Sequence, residues 1–238
     1  MWRPLWEKLR RDQELFDRHC EGLLADLAGR GVPVHCRRGC RDCCTLSVSA
    51  TLSEALLVAR SLKPEQADAV RAHARRLVEI ACGARDFKAY LRTSRAQLGL
   101  CPLLDEKGCC GIYPRRPFAC RALLSTRDSA WCAVDFSSLH PAEKQAFMSG
   151  LDQTVVAFPT HYVAAAQDLG RLLEERAAAA MAERFGFSLR GNLSFLIFLE
   201  QQIGLSDLVP QGLDATRRAL VEAGLDLPFV VHVDPLDT

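Results

Sequence analysis

Residues 101–121 read CPLLDEKGCCGIYPRRPFACR. Apolar periodicity disappears here, and Pro102, Gly108, Gly111, Pro114 and Pro117 punctuate the wider span from Leu100 to Asp135. A loop of that length with little apolar content needs some other source of order, which metal ligation by its cysteines would supply. The chain holds 11 cysteines, and they are not spread evenly. Cys101, Cys109, Cys110 and Cys120 fall in this stretch, while Cys36, Cys40, Cys43 and Cys44 fall in a second one, CRRGCRDCC, at 36–44. Cys20, Cys82 and Cys132 stand apart.

Outward from the two clusters, helical spacing dominates. Leu5, Leu9, Phe16, Cys20, Leu23, Leu24 and Leu27 recur at three- and four-residue steps and predict a helix that ends near Gly29 and Gly31. Thr51 or Ser53 as N-cap, with Glu54 in the first turn, predicts a short helix through Val58. Pro64 opens another, with Val70, Ala74, Leu77, Val78 and Ala81 as its stripe. Gly83 interrupts it, and Phe87, Leu91 and Leu98 carry a second segment. Beyond the loop, helices are expected at Pro141–Val156, Pro159–Phe185, Leu193–Ile203 and Asp214–Ala223. Ala177–Ala180 reads as a site of close helix packing. Phe229–Val233, bounded by Pro228 and Pro235, is the one expected strand. The expected fold is mainly α, a single helical domain over 1–238 wrapped around an irregular, metal-ligated cysteine core at 36–121.

Composition supports a globular chain, because 49% of its 238 residues are apolar and 25% charged. With 30 Lys and Arg against 29 Asp and Glu, the net charge of +1 gives no overall field for nucleic acid or an anionic membrane. The start, MWRPLWEKLRRDQELF, is charged throughout, unlike a secretory signal. The best candidate for a membrane span, Leu193–Leu199, is far too short. A cytoplasmic location follows as the expectation, and there thiols stay reduced and clustered cysteines more often bind metal than form disulfides.

Short spacings let one turn of chain aim several thiolates at one point, as zinc and iron–sulfur sites require. Adjacent Cys43 and Cys44 point apart in an extended chain. Both serve one centre only if the backbone kinks there or the centre is polynuclear. The complete pattern resembles the cysteine-cluster proteins described as zinc- or iron-chelating domains, roughly CxxxCxxCC, then CPxL, then CxIYxxRPxxCR. Cys36, Cys40, Cys43 and Cys44 match the first part, and Cys101, Pro102 and Leu104 the second. Cys110, Ile112, Tyr113, Arg116, Pro117, Cys120 and Arg121 match the third, with Cys109 as an extra cysteine. The resemblance implies metal binding. Some larger members resemble flagellin lysine methylases that carry an iron–sulfur cluster, which keeps a methylase-like enzyme as an alternative.

The expected ligands are a subset of Cys36, Cys40, Cys43, Cys44, Cys101, Cys110 and Cys120. Arg116 and Arg121 are expected to support the centre by offsetting its negative charge. Seven thiols exceed one mononuclear site and fall one short of two all-cysteine sites. Cys109, Cys132 or a nearby His would complete a second. Paired Cys43 and Cys44 favour a 4Fe-4S cluster, with zinc as the alternative. Arg37 and Arg38 are expected in solvent, Tyr113 packed against the loop with its hydroxyl bonded, and Cys20 and Cys82 on apolar helix faces. His161 is a possible neighbour of the centre, and surface or packing roles are the default for the other histidines. Cys36, Cys40 and Cys43 also fit the CxxxCxxC spacing of radical SAM enzymes, but no strand–helix alternation follows, and Asp42 stands where that family usually has an aromatic. No GxGxxG, P-loop, HExxH or GxSxG pattern is present. Enzyme activity, substrate and protein partner stay open.

Overall fold

Apolar residues at helical spacing build the first element, α1 (Arg3–Gly29), which buries Leu5, Leu9, Phe16, Cys20 and Leu27 along one face. The computed structural model describes residues 1–236. After α1 come a 3₁₀ turn at Asp42–Thr45, β1 (Ser49–Thr51), α2 (Leu52–Ala59), α3 (Pro64–Gly83) and α4 (Phe87–Gln97). The loop that follows contains a 3₁₀ turn at Tyr113–Arg115 and two one-turn helices, α5 (Phe118–Arg121) and α6 (Ala130–Ala133). The rest is α7 (Pro141–Ser149), α8 (Ala164–Phe185), β2 (Phe187–Asn192), α9 (Leu193–Ile203), α10 (Leu205–Leu208), α11 (Leu213–Glu222) and β3 (Val231–Pro235). The fold is mainly helical, with one small sheet.

Thr51 caps α2 through a reciprocal box: its hydroxyl accepts the Glu54 amide, and Glu54 accepts the Thr51 amide at 2.8 Å. Glu54 is only 1% exposed, and its second oxygen accepts the Phe118 amide at 2.8 Å. One side chain therefore starts α2 and fastens the start of α5 to it.

Two apolar clusters form the interior. The first gathers Leu52 and Leu56 of α2, Leu77 of α3, and Phe195 and Leu199 of α9 around the sheet. The second joins Phe16 of α1, Phe118 of α5 and Leu173 of α8. Gly170 lets α8 approach α5, since a Cβ there would lie 2.9 Å from the Ala122 Cβ. Of the expected Ala-rich packing site, Ala177 and Ala178 are buried.

The sheet is antiparallel in the order β1-β2-β3, with Ala50 opposite Gly191 and Leu189 opposite Val233. The expected tail strand therefore runs two residues later, and two further strands accompany it. β2 was hidden because its residues are buried on both faces apart from Arg190, so no alternation marks it. Gly191 looks like a break but is required, because a side chain there would collide with the Val230 carbonyl.

Two expected helices are shorter than their spacing predicts. The one expected to reach Val156 ends at Ser149, followed by Gly150. The one expected from Pro159 begins at Ala164, because residues 161–163 pair with neighbouring chain instead: Thr126 N donates to His161 O, Ala157 N to Tyr162 O, and Val163 N to Leu124 O. On α4 the buried face is Tyr90 and Ser94, whereas Phe87 and Leu91 are 53% and 38% exposed. Cys82, expected on an apolar face, is exposed, while Cys20 is buried.

Candidate metal centre

The first cysteine cluster follows α1 through a sharp turn at Gly31, where φ is +72°. His35 N donates to Ser125 O at 2.9 Å, laying this segment against the far end of the long loop. Gly39, at φ +83°, turns the chain so that Cys40 N bonds Arg37 O. Cys43 and Cys44 then sit on the 3₁₀ turn, the kink that adjacent ligating cysteines require. Cys44 O accepts Cys101 N at 2.9 Å, so a backbone hydrogen bond joins two positions far apart in sequence.

The second cluster is shaped by Asp105, whose carboxylate accepts the amides of Lys107 and Cys109 at 2.9 and 2.7 Å. Gly108 at φ +73° completes this turn, and Cys110 returns alongside Leu104 in an antiparallel bridge. Cys120 lies on α5, whose start is held by Glu54. Arg121 is buried and ion-paired with Asp17 of α1, while its other nitrogens donate to Arg116 O at 2.8 Å and Pro114 O at 2.7 Å. Its guanidinium thus supports the centre indirectly, by clamping residues 114–116 onto α1.

All seven motif cysteines and Cys109 line one cavity of about 1110 Å³. Tyr113, Arg116 and Arg121 contribute to the same wall, with His73 from α3 and Asn192 at the end of β2 opposite. Arg37 and Arg38 are exposed at its mouth. Among the described residues, no three His, Cys, Asp or Glu side chains already converge on one ion-sized point, so the thiols surround a space and do not form a closed shell.

Charge relations show which thiols are neighbours. Burial pushes the Cys101 thiol up to about 11, reinforced by Cys110 and Cys43. Burial also raises Cys120, whose charged neighbours are Cys101, Arg116, Cys43 and Cys110. Cys110 is raised by burial, with Arg116 and Cys43 nearby. Hydrogen bonding to Cys44, then burial, raises Cys43. Cys43, Cys101, Cys110 and Cys120 thus influence one another's ionisation, with Cys44 beside Cys43. Without a cation they are neutral thiols at neutral pH, and a bound metal reverses that balance by favouring thiolate.

Arg116 stands by Cys43, Cys110 and Cys120 and favours their ionised forms. Its guanidinium lies 3.8 Å over the Tyr113 ring, and its buried Nε has no hydrogen-bond partner. A donor without an acceptor beside three thiols fits a sulfur-rich anionic centre. Tyr113 itself is 54% exposed, so it serves as the platform for Arg116 and is not packed into the loop as expected.

Behind this wall lies a second arrangement. Cys132 and His161 are both buried, with Sγ and Nε2 3.4 Å apart. Burial lowers the His161 pKa to about 4, leaving the imidazole neutral. Sequence reasoning left Cys132 unassigned, and its isolated position gives no spacing to read. His161 stands two residues before the start of α8 proper and is placed by strand-like pairing, which periodicity does not reveal.

Residues 35–141 match the model of one family, CxxCxxCC, described as "Putative zinc- or iron-chelating domain". It is the family that the cysteine pattern resembles, and its description supports metal binding by this segment. No curated protein and no solved structure matches the chain. No helix among the described residues is long and apolar enough to cross a membrane.

Proposed function

We propose that this protein binds a metal centre in its cysteine-lined cavity, and that the centre is a 4Fe-4S cluster held by Cys43, Cys101, Cys110 and Cys120. Convergence of thiols from two distant segments on one cavity is the observation that carries this reading. A cubane cluster takes four thiolates, one per iron, and these four line one cavity and perturb one another's ionisation. Such a cluster supplies one-electron chemistry when bound. The chain's own contribution is Arg116, which offsets the thiolate charge and offers its Nε as a donor. Zinc in the same pocket, as a structural or metal-handling site, is the alternative. The cysteine module at 36–121 acts within a single folded unit in the reducing cytoplasm, where these thiols remain available.

One feature favours an enzyme, such as a protein-lysine methylase of the iron–sulfur kind. A metal ion and its bonds to thiolates occupy on the order of 50 Å³. The cavity is about 1110 Å³ and has Tyr113, Arg116 and Arg121 in its wall, so it has room for an organic molecule beside a metal.

Metal and sulfide analysis with a UV–visible spectrum on protein purified without air tests the cluster. About four irons and four sulfides per chain, with an absorption near roughly 400 nm that bleaches with dithionite, is expected. A colourless protein holding stoichiometric zinc would overturn the cluster in favour of the alternative.

A further inference from the structure

The Cys132–His161 pair lies outside the cavity wall and takes no part in the centre proposed above. We infer that Cys36, Cys40, Cys132 and His161 form a second, separate metal site, a Cys3His site for zinc. The pair supplies the first argument. Two donors at about 2.3 and 2.05 Å from a tetrahedral zinc are separated by roughly 3.6 Å. Cys132 Sγ and His161 Nε2, 3.4 Å apart, already stand at nearly that separation, and both residues are buried.

The other two donors are brought to the pair by the backbone. Helix α6, which carries Cys132, packs against the 3₁₀ turn that follows Cys40. Cys36 is brought to the same place by Ser125, which donates its amide to Cys36 Sγ, accepts the His35 amide and bridges to Tyr162, the residue after His161. Cys40 Sγ has only a long contact, 3.9 Å, to Asp42 and is free to turn.

Hydrogen bonds around the donors suit thiolates held by a metal. Ser125 N donates to Cys36 Sγ at 3.2 Å. The His161 carbonyl accepts both the Thr126 amide and hydroxyl, at 3.0 Å each, which fixes the backbone that presents the ring. In the structure Cys36 Sγ also donates to Leu123 O at 3.3 Å, and ligation replaces that bond with one to the metal as the thiol proton leaves to solvent. Three segments that share little sequence proximity, at 36–40, 132 and 161, would be tied at one point. The closed four-ligand set, with no position kept for water, makes the site structural.

The inference does not depend on which metal fills the main cavity. Zinc is the probe, counted per folded chain after the main centre has been accounted for by iron analysis or by a Cys43→Ser, Cys120→Ser variant that removes it. One tightly held zinc is expected in the native protein and in the Cys43→Ser, Cys120→Ser variant. His161→Gln and Cys132→Ser are each expected to lose that zinc and retain the main centre's metal and absorbance. His161→Cys, which restores a fourth donor, is expected to keep it. Cobalt substitution in the Cys43→Ser, Cys120→Ser background should give visible bands of a tetrahedral site, shifted to longer wavelength by His161→Cys as sulfur replaces nitrogen. Retention of the full zinc complement by His161→Gln and Cys132→Ser overturns the site, as does a native protein that holds no zinc beyond its main centre. Melting curves recorded in chelator separate ligand loss from misfolding, because the variants should then match the native chain.

Discussion

Arg121 is 2% exposed at its side chain and makes bonds in three directions, to Asp17 and to the carbonyls of Pro114 and Arg116. Removing one partner of such an arrangement leaves buried acceptors unsatisfied, which is more damaging than the loss of a surface ion pair. Arg121→Met is expected to lower stability by about 3 kcal/mol and to weaken metal retention at Cys120, measured by urea unfolding and metal content. Glu174 behaves differently. Burial, then the nearby Glu54, raises its pKa to about 7 from an ordinary value of 4.5, so the fold favours the protonated acid. Its contribution is full below pH 4.5 and is lost as pH rises through 7. Relative to Glu174→Gln, the native protein should therefore lose roughly 2 kcal/mol across that window. Equal slopes of stability against pH in the two proteins would contradict this.

Gly170 shows what sets the spacing between elements. A side chain there would meet Ala122 and the Phe118 carbonyl, so α5, with Cys120 on it, sits as deep as it does because α8 offers no Cβ at that point. Gly170→Val is expected to destabilise by about 2 kcal/mol through overpacking, read as a lower denaturant midpoint. The same elements show how far sequence carries. Helices with one buried stripe, such as α1 and α3, are legible because their period records the face that meets the core. β2 is illegible because both its faces are covered, and the late start of α8 because the segment at 124–126 pairs with residues 161–163. The cysteine clusters were legible as chemistry, since their spacing survives without any periodicity. The pairing of Cys132 with His161 was not, because only the folded chain brings these two separate candidates together.

At the scale of the whole molecule, the cysteine loop reaches the apolar clusters through a few side chains such as Leu103, Ile112 and Phe118 and is otherwise held by backbone bonds and by Glu54, while most of each cluster lies on helices beyond it. Metal removal should loosen the first region much more than the second. Hydrogen exchange after chelation is expected to show lost protection at residues 36–46 and 101–121, with α3 and α9 unchanged. Uniform loss would mean that the metal holds the entire fold.

The sheet gives the pocket a schedule. Its wall at Asn192–Ser194 is positioned by β2, which pairs with β1 far upstream and with β3 near the other end. On a ribosome, every thiol through Cys132 emerges before that wall has been translated. At about 5–20 residues per second the interval lasts on the order of several seconds. During it the nascent thiols are open to a metal donor, and equally to oxidants, from the side that β2 later closes. Loading of this protein is therefore easiest as a cotranslational event.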